Sequence, residues 1–336
     1  MQSPQLRCAA IGLNHPHIYE MVQCLLDASV ALAAFHAEED DLAAAFAQRF
    51  PQARRVDDAG RILEDSSIAI VASAIVPDRR GALAIAAMRH GKDVMVDKPG
   101  VITLDDLAGL RRTHAETGRI FSVCFSERFQ VRASAKASEL VQAGAIGRVV
   151  QTVGLGPHRL GLNPRPAWFY ERARYGGILV DIAAHQADQF LHYTGSTEAE
   201  VVAAHIANYA NPDKPELEDF GEMMLRGNRG TGYVRVDWYT PDGLGVWGDG
   251  RLIILGTEGY IEARKYIDIA GQPGGDHLFL IDKKGIQRID CSATRLPYGA
   301  AFVRDVLERS ETAMSQDHCF LACELGLKAE AMATRL

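Results

Sequence analysis

The sequence predicts two unlike α/β units. The first is a doubly wound parallel-sheet domain over residues 1–125. The second is an α+β domain over residues 126–336, built on a large open, mainly antiparallel sheet. Three observations predict this. The chain has 336 residues, and a domain commonly holds about 150. The first third alternates short, nearly continuous apolar runs with amphipathic segments, the signature of a parallel sheet covered on both faces. The remainder strings strands together through turn residues, the signature of antiparallel pairing.

The elements follow in order. Leu6–Leu13 reads as a strand, with a helix expected from Pro16 to Ala28. Val30–His36 is the next strand and Asp40–Phe50 the next helix. Ile68–Val76 is a third apolar strand, followed by a helix from Arg80 to His90 and a fourth strand at Asp93–Val96. Thr103 and Asp106 are spaced as a capping box for a helix reaching Thr117. Ile120–Phe125 closes the first domain. In the second, a helix over Ser134–Ala143 ends at Gly144, and Arg148–Leu155 is a strand. Gly176 and Gly177 precede one strong helix expected from Ile178 to His192. Seven strands are expected at 201–209, 220–225, 232–238, 252–255, 260–264, 278–281 and 287–290. Two helices, 298–309 and 315–334, end the chain.

Composition narrows the function. Hydrophobic residues are 47% and charged residues 24%, both ordinary for a globular chain, so disorder and coiled coil are excluded for the bulk. Lys plus Arg is 36 against 43 Asp plus Glu, a net charge of -7. That balance leaves no basic footprint for nucleic acid or an anionic membrane. The six cysteines are scattered, unlike a disulfide framework. Cys319 and Cys323 lack a second pair at zinc-ligand spacing, so buried thiols are expected. Met1–Leu6 shows no leader pattern, and no apolar run approaches the roughly 18 residues of a membrane span. A cytoplasmic location is expected.

A parallel sheet of this kind binds ligands beyond the carboxyl ends of its strands. The first such turn is Gly12-Leu13-Asn14-His15-Pro16-His17. A dinucleotide turn usually carries Gly-x-Gly-x-x-Gly. Only Gly12 fits; Asn14, which tolerates a left-handed backbone, takes the second place and His17 the third. The acid expected to meet a ribose at the end of the second strand is Glu38, two residues beyond His36. First-turn acids also suit a helix macrodipole, so Glu38 has an alternative structural role. His15 and His17 form a His-x-His pair. Two ligands without a carboxylate are too few, so no metal is expected.

Two further constellations carry chemistry. Val94-Met95-Val96 runs into Asp97-Lys98-Pro99 at a strand end, where Pro99 restricts the exit of the chain. Asp181 and His185 are four residues apart, so a continuous helix puts them on one face among apolar neighbours. A partly buried Asp beside a His orients an imidazole for proton transfer, or is a purely structural pair.

Taken together these motifs resemble the glucose–fructose oxidoreductase, inositol dehydrogenase and MocA (Gfo/Idh/MocA) family over essentially the whole chain. Asp97-Lys98-Pro99 stands where that family has Glu-Lys-Pro. Gly176, Gly177, Asp181 and His185 match its Gly-Gly helix with Asp-x-x-x-His. Arg165-Pro166-Ala167-Trp168 resembles the segment leading into that helix, and Trp247-Gly248-Asp249-Gly250 and Gly256-Thr257-Glu258-Gly259 resemble a subgroup. The resemblance implies a Rossmann domain, NAD or NADP as cofactor, and hydride transfer to or from a carbinol carbon of a sugar, polyol or related metabolite. It implies a catalytic group of Lys98, Asp181 and His185: His185 as general base, Lys98 stabilising the alkoxide, Asp181 orienting His185 or binding a hydroxyl. The expected cofactor contacts are Gly12, Asn14, His15, His17, His36, Glu38, Ala74, Pro77, Asp97 and Lys98. Arg79, Arg165, Trp168, Asp181 and His185 are the expected substrate contacts. Where the family often has Pro-Asn-x-x-His, this chain has Pro77-Asp78-Arg79-Arg80-Gly81. Arg79 and Arg80 read either as anion binders or as exposed helix-start residues. A homodimer or homotetramer is expected, because an open sheet must cover its second face. An NAD-using hydrolase or lyase and a non-catalytic binder remain the alternative functions.

Overall fold

The computed structural model describes residues 5–162 and 164–336; Met1–Pro4, part of the stretch read for a leader, lie outside them. Two compact units form. One runs to Cys124 and includes Pro297–Phe320; the other holds Phe125–Leu296 and Leu321–Leu336.

In the first unit, β1 (Arg7–Ile11), α1 (His17–Asp27), β2 (Ala31–His36), α2 (Asp40–Arg49), β3 (Arg54–Arg55), α3 (Ala59–Glu64), β4 (Ile70–Ser73), α4 (Pro77–Arg89), β5 (Asp93–Asp97), α5 (Leu104–Thr117) and β6 (Phe121–Cys124) follow in order. The six strands pair in parallel, in the order β3-β2-β1-β4-β5-β6. Every residue of β4, β5 and β6 is buried, as a sheet covered on both faces requires. Ile18, Met21, Val22 and Leu25 give α1 its buried stripe, at the spacing of one helix face. Thr103 Oγ1 accepts from Asp106 N at 3.0 Å, and Gly118 ends α5 in a left-handed conformation, so capping sets both ends. The short β3 and α3 carry no clear sequence pattern: β3 is a two-residue exposed edge strand, too short to show periodicity.

A domain boundary at residue 125 would put 297–320 in the second domain, whereas this segment packs in the first unit. Gln316 explains part of this. Its Oε1 accepts from Phe121 N at 2.9 Å and its Nε2 donates to Phe121 O at 3.0 Å. One side-chain amide thus satisfies both backbone groups of a residue on the edge strand β6. Arg309 donates to both oxygens of Asp93 at 2.7 Å, and Ser122 Oγ lies 2.8 Å from Tyr298 OH.

The second unit comprises α6 (Ser126–Phe129), α7 (Arg132–Gln142), β7 (Val149–Pro157), α8 (Arg172–Tyr175), α9 (Ile178–Asp181), α10 (Ala184–Thr194), β8 (Ala199–Ala207), β9 (Phe220–Gly227), β10 (Thr231–Asp237), β11 (Arg251–Gly256), β12 (Gly259–Arg264), β13 (His277–Asp282) and β14 (Gly285–Ile289). A short β15 (Thr334–Arg335) completes a nine-stranded sheet, ordered β14-β13-β12-β11-β7-β10-β9-β8-β15. Its pairs are antiparallel except β10 with β7 and β15 with β8, which are parallel. The sheet is therefore mixed and mainly antiparallel, as the sequence predicts. α10 covers it over β7, where Gly154 and Gly156 leave room for Gln186.

Candidate functional site

In the first unit the chain turns sharply after β1. Gly12 has φ +75°, and a Cβ there would collide with Ile75, so only glycine fits. Its N–H donates to His36 O at 2.9 Å and its carbonyl accepts from Ala74 N at 3.1 Å. The turn is thus tied to the ends of β2 and β4, and the missing second and third glycines do not open it. A cavity of about 330 Å³ lies over it, lined by Gly12, Asn14, His36, Glu38, Asp78 and Arg79 among others. That position at the strand ends, together with the required Gly12, fits a dinucleotide. Pro77, expected among the contacts, is the first residue of α4, which begins beside this cavity. Ala74 is fully buried and acts through its backbone.

Glu38 and Arg79 meet in this cavity through two hydrogen bonds of 2.8 and 2.6 Å. Hydrogen bonding and the charge of Arg79 hold the Glu38 carboxyl below its ordinary range. Arg79, expected at the substrate, lines the cavity over the Gly12 turn. Asn14 is fixed by donating to Glu39 Oε1 at 2.7 Å.

Arg80 corrects the reading of two exposed cations. It is 1% exposed. Its Nε donates to Ile75 O at 2.8 Å, and its Nη1 reaches the carbonyls of Asp97, Lys98 and Pro99 at 3.0, 2.5 and 2.8 Å. One guanidinium, with its planar fork of donors, thus clamps the backbone on which Lys98 sits. Lys98 itself is buried, and the Lys98–Pro99 peptide is cis. Gly81, where the family often has His, packs closely: a Cβ there would press on Asp106.

The structure also corrects the premise behind excluding a metal. A carboxylate does accompany His15 and His17. Asp97, 80 residues on, puts Oδ1 at 2.8 Å from His17 Nδ1 and Oδ2 at 3.2 Å from His15 Nδ1. Burial alone would raise the Asp97 pKa, but His17, His15 and Arg80 outweigh it and hold the group well below the usual carboxylate range. Burial, helped by the charge of His17, pushes His15 down to about 4.

In the second unit the expected continuous helix is broken. α9 ends at Asp181 and α10 begins at Ala184. Ala183 N donates five residues back to Ile178 O at 3.3 Å, and His185 N donates three residues back to Ile182 O at 3.2 Å. Such local departures from the i−4 pattern recur at functional sites. Asp181 and His185 therefore flank a break instead of sharing one regular face. Both are buried, and the Phe125 ring lies 6.3 Å from that of His185, edge to face. Gly177 has φ +99°, and a Cβ there would enter the Glu330 carboxylate. The Gly-Gly motif thus has a steric cause. Arg165 stacks over Phe169 and Trp238, with its guanidinium carbon 4.7 and 5.0 Å from the ring centroids; burial lowers its pKa, offset in part by the charge of Asp181. Trp168 is half-buried against Phe169.

Sequence reasoning missed Glu127. It is buried in the second unit and accepts through Oε2 from Lys265 Nζ, from Gln186 at 3.0 Å and from Gln189 at 3.3 Å. Gln189 also donates to His185 O at 2.9 Å. Lys265, between Arg264 and Tyr266, has no sequence signal that separates it from a surface lysine.

Comparisons with known proteins agree with this architecture. Residues 6–125 match the model of the oxidoreductase family with an NAD-binding Rossmann fold, and residues 134–262 match the GFO/IDH/MocA C-terminal domain. A protein designated an oxidoreductase from Erwinia carotovora atroseptica is 47% identical, with a TM-score of 0.96 over 99% of this chain and all of that one. The scyllo-inositol 2-dehydrogenase (NAD(+)) of Bacillus subtilis is 28% identical over 263 residues, 76% of this chain and 73% of its own. Levoglucosan dehydrogenase of Pseudarthrobacter phenanthrenivorans is 29% identical over 204 residues, about half of its own length at 51%. A levoglucosan dehydrogenase bound to NADH and levoglucosan shares the fold, with a TM-score of 0.80 at 19% identity over 98% of this chain and 96% of that one. By these matches the chain belongs to the Gfo/Idh/MocA family of oxidoreductases, with an NAD-binding Rossmann fold at its N-terminal end.

Proposed function

We propose that the protein moves a hydride between a nicotinamide dinucleotide and the carbinol carbon of a sugar, polyol or related hydroxylated metabolite. The observation that carries this is the clamped Asp97-Lys98-Pro99 segment at the end of β5, in the same sheet as the Gly12 turn and its cavity. The related inositol and levoglucosan dehydrogenases support the substrate class.

Gly12, Asn14, His15, His17, His36, Glu38, Ala74, Pro77, Asp97 and Lys98 hold the dinucleotide, which supplies the hydride acceptor. Arg79 joins them through Glu38. A carboxylate at the end of β2 suits the free ribose 2′-hydroxyl of NAD better than the phosphate of NADP, so NAD is the preferred cofactor. Lys98, Asp181 and His185 are the catalytic group. In the oxidative direction His185 takes the hydroxyl proton and Lys98 stabilises the alkoxide, while the carbinol C–H leaves as hydride and a C=O bond forms. Asp181 orients His185 or binds a neighbouring hydroxyl, and Arg165 and Trp168 bound the substrate.

The protein acts as a homodimer or homotetramer in the cytoplasm. Two features support this. Met224, Leu255 and Tyr260 are large apolar side chains left exposed on strands of the nine-stranded sheet, a surface a second copy would cover. None of the six cysteines is disulfide-bonded, as expected in a reducing compartment.

A thermal-shift panel of NAD, NADH, NADP and NADPH, followed by polyol screening with the best cofactor, tests the reading. Cofactor stabilisation and substrate-dependent NADH formation are expected. His185→Ala should keep the cofactor shift and lose turnover, and Lys98→Ala should lose turnover. Absence of both responses in the wild type overturns the proposal.

A further inference from the structure

We propose that His15, His17 and Asp97 form a binding site for a divalent transition-metal ion, with zinc as the best match. The three side chains come from the carboxyl ends of two strands of the first unit's parallel sheet: the histidines from the turn after β1 and the start of α1, the aspartate from the last residue of β5. One ligand atom from each lies within 4.8 Å of the other two. The imidazole rings are edge to face, with centroids 4.2 Å apart and planes at 73°, so their nitrogens approach the carboxylate from different directions. Two imidazoles and one carboxylate are a borderline-soft donor set, which suits zinc and its neighbours rather than magnesium or calcium.

A second relationship gathers the three side chains at one point. His17 N lies 3.3 Å from His15 Nδ1. That Nδ1 lies 3.2 Å from Asp97 Oδ2. Each imidazole thus sets its Nδ1 against a different oxygen of one buried carboxylate. Arg80 donates to four backbone carbonyls and through Nη2 to Asp97 Oδ2 at 3.4 Å. His15 and His17 are 25% and 34% exposed, whereas Asp97 is 1% exposed. The donor set is thus reachable from solvent on the histidine side. Three protein ligands on one side leave the remaining positions open to water or to an oxygen of a bound ligand.

The experiment uses the full-length chain, stripped with a chelator and titrated with zinc sulfate by calorimetry, with cobalt(II) as a visible-absorbance probe. One equivalent of zinc per chain and a cobalt d–d band are expected. His15→Ala and His17→Ala should each weaken zinc binding by about tenfold or more and abolish the band. Both histidines are partly exposed, so these variants carry the test in place of the buried Asp97, and circular dichroism checks that each stays folded before its zinc binding is read. Failure of the wild type to bind zinc, or equal binding by wild type and a His15→Ala/His17→Ala double variant, overturns the proposal. The readout is independent of turnover, so it stands apart from the hydride-transfer reading.

Discussion

Arg79 and Glu38 are joined by two hydrogen bonds, at 2.8 and 2.6 Å, between the start of α4 and the residue two beyond β2. The acid holds a cation where a dinucleotide ribose is expected. Removing the acid frees the guanidinium, which can then pair with a 2′-phosphate. Glu38→Ala is therefore expected to move the cofactor preference toward NADP by about tenfold, or about 1.4 kcal/mol. Calorimetric titration with NAD and NADP measures the ratio; an unchanged ratio would place the ribose elsewhere.

Arg80 is the buried clamp beneath Lys98. Arg80→Met leaves the carbonyls of Ile75, Asp97, Lys98 and Pro99 without that donor and Asp97 without its buried cation. A loss of about 3–5 kcal/mol is expected, read from the urea midpoint. Arg79→Met, one residue earlier on the exposed side, should change stability by less than about 1 kcal/mol.

Gly177 is compelled by both dihedral and space. Gly177→Ala must hold φ +99° and push its methyl into the Glu330 carboxylate, at a cost of about 3 kcal/mol or more. Gly91 has φ +76° with open space around it, so Gly91→Ala should cost only about 1 kcal/mol. Denaturant unfolding of the two variants separates strain from collision. Equal losses would show that the contact with Glu330 is soft.

Glu127 makes stability depend on acid. Burial opposes its charge, but Lys265 first and then His185 outweigh this and lower its pKa from 4.5 to about 2. Its contribution is then fully present above pH 4.5 and is lost as pH falls from there toward 2. The amount is about 3 kcal/mol. Unfolding curves between pH 7 and pH 3 should show this slope in the wild type and a shallower one in Glu127→Gln. The variant should also be less stable at pH 7, because Lys265 is left buried without its partner. Matching slopes would assign the acid sensitivity to other carboxylates.

Much of the molecule was legible in the chain itself. Apolar runs at β4, β5 and β6, the α1 stripe and the Thr103 cap are local patterns, and local patterns write secondary structure directly into sequence. The Asp97-Lys98-Pro99 and Gly176-Gly177 segments were legible for the same reason, since each is contiguous. The break between α9 and α10 was not. Ile178–His192 has good helical periodicity throughout, and the irregular hydrogen bonds at Ala183 and His185 emerge only when the helix packs.

What the sequence determined by itself is the alternation of elements, and with it two unlike sheets and the strand-end turn at Gly12. What only the tertiary structure decided is which distant side chains meet. Asp97 joins His17 across 80 residues and His15 with it, Lys265 neutralises Glu127 across 138, and Gln316 closes the edge of β6 from 195 residues away. Arg80 looked like a surface cation and is a buried clamp. The reason is physical. Helix and strand periodicity depend on neighbours within a few residues, whereas the partner of a buried charge is set by which strand ends the fold brings together.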